Sequence, residues 1–163
     1  MNIRLEATSN RGSFRLLRSN DLICDLRSTG LIICGAITEY NDQKIEIKPK
    51  SVFQRHFDIL KDGHNVGAIT MHRFQHIQIT LKRADGAPPD SFVIKRSGFF
   101  KMRYDLMASD KRLLTITSKF SWFNFRYEYL VEEHNHDYPD EILNELLIYA
   151  GFAANLNHAR SRT

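Results

Sequence analysis

The stretch NELLIYAGFAANL, residues 144–156, narrows the possible folds more than any other part of the chain. It reads as a helix, yet Leu146, Leu147, Ile148, Tyr149, Ala150, Phe152, Ala153 and Ala154 leave no polar stripe at any helical angle. A helix packed on the outside of a sheet keeps one face for water, whereas one apolar all round is buried on every side. The run is about half the ~18 consecutive apolar residues that a membrane span requires. Protein has to surround it.

What precedes the helix supplies that surrounding. From residue 1 to about 131 the chain alternates apolar and polar residues in short stretches broken by turn signals. KIEIK sets Ile45 and Ile47 against Lys44, Glu46 and Lys48, and HIQITLK sets Ile77, Ile79 and Leu81 against His76, Gln78, Thr80 and Lys82. FNFRYEYLV puts Phe123, Phe125, Tyr127, Tyr129 and Val131 in phase, and Asp62–Gly63 in KDGHN is a strong hairpin signal. About a dozen strands at intervals of ~8–12 residues predict an all-β sandwich or barrel. After the polar EEHNHDYPDE the period changes, with Pro139 suited to a first helical turn. Asp137, Asp140 and Glu141 near the start, and His158, Arg160 and Arg162 near or beyond the end, complement the helix dipole.

The chain therefore predicts one domain over residues 1–163, mainly β: a closed antiparallel barrel of about twelve strands over 1–131, with the hydrophobic helix of about 139–158 buried through its centre. The competing architecture is a β-sandwich with the helix in a dimer interface. The barrel is preferred because only a lumen buries the whole circumference, and Gly151 with the alanines lets its walls come close.

This pattern resembles the tubby C-terminal-like superfamily, which includes the LURP-one-related proteins and the phospholipid scramblases. ITSKFSWFNFRYEYLV, residues 116–131, is similar to the superfamily's late-strand pattern of a basic residue, aromatics including Trp, then a Tyr-containing strand. FDILKDGHNVGAI resembles the strand–DG–strand unit of the LURP-one-related group. In pattern the resemblance covers most of the chain, and in motif about residues 57–156. It departs in having no Cys-rich or calcium-binding segment of the scramblase kind, and in Asn155, which would interrupt the helix early. The resemblance implies the plugged barrel and a non-enzymatic module that binds phosphoinositide-like headgroups through basic surface residues.

Charge bears on partners only weakly. Lys and Arg number 23 against 19 Asp and Glu, a formal net charge of +4. That balance suits an anionic partner, but no dense Lys/Arg stripe points to nucleic acid. The N-terminal MNIRLEATSNRGSF carries Arg4 and Glu6 and lacks the apolar run of a signal peptide. The expected location is the cytoplasm, with peripheral attachment to a membrane as the partner reading allows. If Ser28 to Gly30 form a three-residue turn, Cys24 and Cys34 lie opposite each other on paired strands. Two buried thiols are expected there rather than a disulfide, given a reducing compartment.

Three sets of residues are candidate sites. In SFVIKRSGFFKMRYDL, pairing Phe92 with Tyr104 and Ile94 with Met102 collects the apolar residues on one face and puts Lys95, Lys101 and Arg103 together on the other. Two Lys and one Arg can hold a phosphate, the Arg by a forked contact; a solvated strand face is the plainer reading. Phe120 and Trp122, placed in the turn before the last strand, would contact lipid if exposed, or cap the core if not. His134 and His136, with Glu133 and Asp137 nearby, are weak candidates for metal. His72 and His76 are four apart but sit where a turn enters a strand, so the helical metalloprotease arrangement is missing. No cofactor is implied, and no catalytic residue: no serine elbow, phosphate loop or acid–base carboxylate pair stands out. The expected function is non-enzymatic binding of an anionic ligand, a phospholipid headgroup at a membrane surface. The alternatives are a protein-interaction domain, and then a metal-dependent enzyme centred on the His134–His136 loop.

Overall fold

A computed structural model of the chain describes residues 2–9, 11–30, 34–53, 55–72, 76–98, 101–121, 126–134 and 137–161. The strands are β1 (Ile3–Ala7), β2 (Phe14–Arg18), β3 (Asp21–Thr29), β4 (Gly35–Tyr40), β5 (Gln43–Pro49), β6 (His56–Lys61), β7 (His64–Met71), β8 (His76–Leu81), β9 (Asp90–Ser97), β10 (Arg103–Ala108), β11 (Lys111–Ser121) and β12 (Arg126–Glu133). Helix α1 (Asp140–Arg160) follows. Each strand pairs with its sequence neighbours and β1 closes on β12, giving a closed barrel of twelve strands. The alternation read from the sequence sets the inward face: Ile45, Ile47, Ile77, Ile79, Tyr129 and Val131 are all buried.

The helix runs through the lumen. From Leu146 to Leu156 every residue is buried, on all sides of the helix. Its contacts come from around the barrel: Phe152 meets Phe57 of β6 edge-to-face at 5.3 Å, Tyr129 of β12 donates to Asn155 Oδ1 at 3.1 Å, and Gly151 lies against Leu5 of β1 and Phe14 of β2. A Cβ at Gly151 would stand 2.9 Å from Phe14 Cζ and 3.1 Å from Leu5 Cδ1. The lumen has no spare room there.

Polar side chains at each end of the helix bond to the wall. Arg18 Nη2 donates to Asn144 Oδ1 and to Glu133 Oε1, both at 2.8 Å. Lys61 Nζ lies 2.6 Å from Glu145, which also accepts from the Tyr149 hydroxyl at 2.7 Å. Burial, then the charge of Glu145, pushes the Tyr149 hydroxyl well above its ordinary range. Asn155 does not interrupt the helix as expected. It is buried in mid-helix and its Nδ2 donates to the Ser13 carbonyl at 3.4 Å.

Two registers differ from those read in the sequence. β3 and β4 pair Thr29 with Gly35 and Arg27 with Ile37, so the connection spans 30–34 and not three residues. Cys24 then faces the core, Cys34 sits in the connection, and both thiols are free. Burial pushes the Cys24 thiol up to about 11. β9 and β10 pair Ile94 with Leu106 and Tyr104 with Arg96, four residues away from the expected register. Hydrophobic alternation decides only which face a residue takes, and both registers satisfy it.

The topology gives the barrel two unlike rims. At the rim where the helix starts, β2–β3, β4–β5, β6–β7 and β10–β11 are joined by two-residue turns. Ser19, Asn20, Asn41, Asp42, Asp62 and Ser109 there adopt positive φ, the conformation such hairpins require. At the rim where the helix ends, the six connections are four to six residues long. Longer connections leave room for a site.

Candidate functional site

The helix-end rim holds a cavity of about 240 Å³. Its floor is apolar, with Ile77, Ile94 and Met71 from the barrel wall, and its sides are cationic. Arg55 is the residue before β6, His72 follows β7, His76 opens β8, Arg96 is the last residue but one of β9, and Arg160 ends the helix. The two imidazole rings stack with centroids 4.5 Å apart. None of the described residues lining the cavity is acidic.

Two of these groups are poorly compensated by the described residues. The side chains of Arg55 and Arg96 make no ion pair or hydrogen bond with a described residue. Arg160 Nη1 lies 3.8 Å from Met71 Sδ. Burial lowers the Arg160 guanidinium from its usual range, Cys34 acts in the opposite direction, and the like charge of Arg55 lowers it further. The Tyr104 hydroxyl, near Asn157 at the cavity, forms no hydrogen bond of regular geometry and is fully buried. Burial raises its pKa and the Arg96 charge opposes that rise. The arrangement thus offers cationic donors and a spare hydroxyl around one small space. An anion would satisfy them.

The site residues expected from the sequence fall elsewhere. Lys95 is exposed on β9, opposite Asp105 of β10 and His76 of β8. Lys101 is exposed in the β9–β10 connection. Arg103 Nε donates to Asp105 Oδ1 at 3.2 Å, and the same oxygen lies 3.7 Å from Arg112 Nε and accepts from Thr115 at 2.7 Å. That strand face holds its own carboxylate, and the expected cluster of Lys95, Lys101 and Arg103 is not formed as a unit. Phe120 belongs to β11 rather than to a turn, half-buried against Tyr127 with ring centroids 5.3 Å apart. Trp122 and His136 lie outside the described residues, as do Phe123, Phe125 and Arg162.

His134 Nε2 is 2.7 Å from Thr115 Oγ1. With the Thr115 proton directed to Asp105, the imidazole is the donor in this contact. Thr115 is 1% exposed, so its hydroxyl is an internal link and not a nucleophile facing substrate. Among the described residues no three His, Cys, Asp or Glu side chains are grouped to hold a metal. No helix among them is long and apolar enough to cross a membrane.

No protein-family model, curated protein or solved structure matches this chain. The class that the geometry defines is a closed twelve-stranded β-barrel filled by its own C-terminal helix, with a cationic cavity where that helix ends.

Proposed function

We propose that the protein is a binding module, not an enzyme, whose ligand is a small anionic group of the phosphate kind held in the helix-end cavity. The observation that carries this reading is the convergence of Arg55, Arg96, Arg160, His72 and His76 on one cavity with no acidic residue among its described lining. Guanidinium groups match phosphate and carboxylate oxygens by forked hydrogen bonds, and such charge-assisted bonds are about twice as strong as neutral ones. The helix C-terminus opposes an anion with roughly half a negative charge, which three full guanidinium charges outweigh.

The cavity volume is below the ~300–1,000 Å³ of pockets that enclose drug-sized ligands. It suits a headgroup or a single ionic substituent. The helix fills the lumen, so the barrel is not a carrier that encloses a ligand along its axis. The proposal extends to membership of the tubby-like superfamily, supported by the plugged-barrel architecture and by the motifs of residues 57–156.

Calorimetric titration with inorganic phosphate and pyrophosphate tests the reading. Binding that weakens with salt and falls at least about tenfold in Arg55→Gln/Arg96→Gln is expected, since each lost charged hydrogen bond is worth about 1.5–3 kcal/mol. No binding, or binding unaffected by the double substitution, would overturn it.

A further inference from the structure

We infer that the cavity takes a small phosphate monoester body-first, its short apolar body on the floor and its phosphate at the arginines nearer the rim. This rests on the anion-binding reading of the cavity and adds to it the kind of molecule that carries the anion. The floor is continuous: Met71, Ile77 and Ile94 stand in register across β7, β8 and β9, and all three are buried. The cations stand farther out. Residues two apart on a strand share a face, so Arg96 lies on the same face of β9 as Ile94, one step nearer the end of the strand, and it is exposed. The Arg55 carbonyl, just before β6, accepts from the Met71 N–H at 2.7 Å. Arg160 lines the helix side, its Nη1 3.8 Å from Met71 Sδ.

An inorganic anion would use only the outer layer. The volume of about 240 Å³ equals on the order of eight water molecules at about 30 Å³ each. A phosphate group fills roughly half of that and leaves space for about three carbons against the floor. Water there meets apolar side chains that offer it no hydrogen bond, so an apolar body replaces it at a gain. Tyr104 marks the boundary between the two layers. It is opposite Arg96 in the β9–β10 register, it is fully buried, and its hydroxyl has no hydrogen bond of regular geometry. A buried hydroxyl without a partner calls for an explanation, and a phosphate oxygen level with Arg96 supplies the acceptor.

The order of the layers fixes which way the ligand enters. A bilayer presents its phosphates to a protein with the apolar chains pointing away, whereas here the apolar surface is innermost and the cations are at the mouth. The helix fills the lumen below, so the body must be short. A polyhydroxylated body would lose its hydration against the floor without gaining partners there. The matching class is a soluble monoester with a compact hydrocarbon body.

Calorimetric titration of the full chain with inorganic phosphate and with methyl, ethyl, propyl, butyl and hexyl phosphate tests the inference, with glycerol 3-phosphate as the hydroxylated counterpart of the propyl ester. The alkyl esters differ only in body length. Affinity should rise by up to about fourfold for each methylene that reaches the floor, about tenfold in all from methyl to propyl phosphate, and then level off. Glycerol 3-phosphate should bind no tighter than methyl phosphate. Tyr104→Phe should weaken every ester by a common factor of about five or more while keeping the rise from methyl to propyl. Phosphate binding with no rise along the series would overturn the inference and leave the cavity reading intact; no binding of phosphate or of any ester would remove both. A rise that continues through hexyl phosphate would put the chain on an open surface, and a loss in Tyr104→Phe confined to the longer esters would put the phosphate elsewhere; either result overturns the orientation.

Discussion

Replacing Gly151 tests whether the helix is enclosed, because the sign of the effect differs between a filled lumen and any exposed position. In a solvated helix, Gly→Ala stabilises by about 0.8–1.0 kcal/mol through backbone propensity alone. In this barrel the added Cβ meets Phe14 Cζ at 2.9 Å, Leu5 Cδ1 at 3.1 Å and Phe14 Cε1 at 3.2 Å. Phe14 and Leu5 are each 1% exposed, so neither ring nor methyl has open space to retreat into. Overpacking of this kind costs about 1–3 kcal/mol. The two terms nearly cancel or leave Gly151→Ala up to about 2 kcal/mol less stable. Gly151→Leu adds three more heavy atoms in the same place, with no further propensity gain, and should be less stable than the alanine variant. Urea unfolding followed by far-UV circular dichroism gives both values. Stabilisation of Gly151→Ala by the full propensity term would refute the enclosed helix.

Other consequences follow from the same packing. Asn155→Leu should cost about 0.5–1.5 kcal/mol for each of two lost hydrogen bonds in the same assay: the Ser13 carbonyl keeps the Thr8 N–H, and the Tyr129 hydroxyl keeps His158 Nδ1. Cys24 titrates near 9 when unfolded and about 11 when folded, so the folded state holds its proton longer. Its contribution is complete below pH 9 and is lost as pH rises toward 11, an effect of order 2 kcal/mol. Urea midpoints measured from pH 8 to 10 should therefore fall less steeply in Cys24→Ala than in the wild type. Changing Lys95, Lys101 and Arg103 all to Ala should weaken phosphate binding less than Arg55→Gln/Arg96→Gln does, because Asp105 already offsets that face; calorimetric titration of the two variants side by side decides it.

The architecture was legible in the chain because one segment admitted few solutions. Residues 146–154 needed burial on every side, and the alternating strands before them supplied enough wall to provide it. Alternation also placed Ile45, Ile47, Ile77, Ile79, Tyr129 and Val131 correctly on the inner face. It did not decide how far paired strands slide. The β3–β4 and β9–β10 registers read from the sequence kept the right faces but assumed shorter connections than 30–34 and 98–102. Those lengths depend on how each strand meets its other neighbour around the barrel, which no local pattern contains. The helix ran unbroken through Asn155, where an interruption was expected, and there the wall offers its amide two partners.

The site was harder to read for a related reason. Arg55, Arg96 and Arg160 come from three separate elements, and only closure of the barrel brings them to one cavity. The expected patch on β9 and β10 drew on residues close in sequence, and there the structure interposes Asp105. A usable signal was nevertheless present. In an up-and-down barrel alternate connections share a rim, so grouping them by parity would have separated acid-free connections from aspartate-bearing ones. His72 and His76, passed over as a metal motif, belong to the acid-free set.

The most direct test of the cavity's role is a titration of ¹⁵N-labelled protein with inorganic phosphate, following the arginine Nε–Hε resonances. The account predicts saturable shifts confined to Arg55, Arg96 and Arg160, with Arg103 unmoved behind its contact to Asp105. Shifts centred on Arg103 and its strand, or none at any arginine, would contradict it.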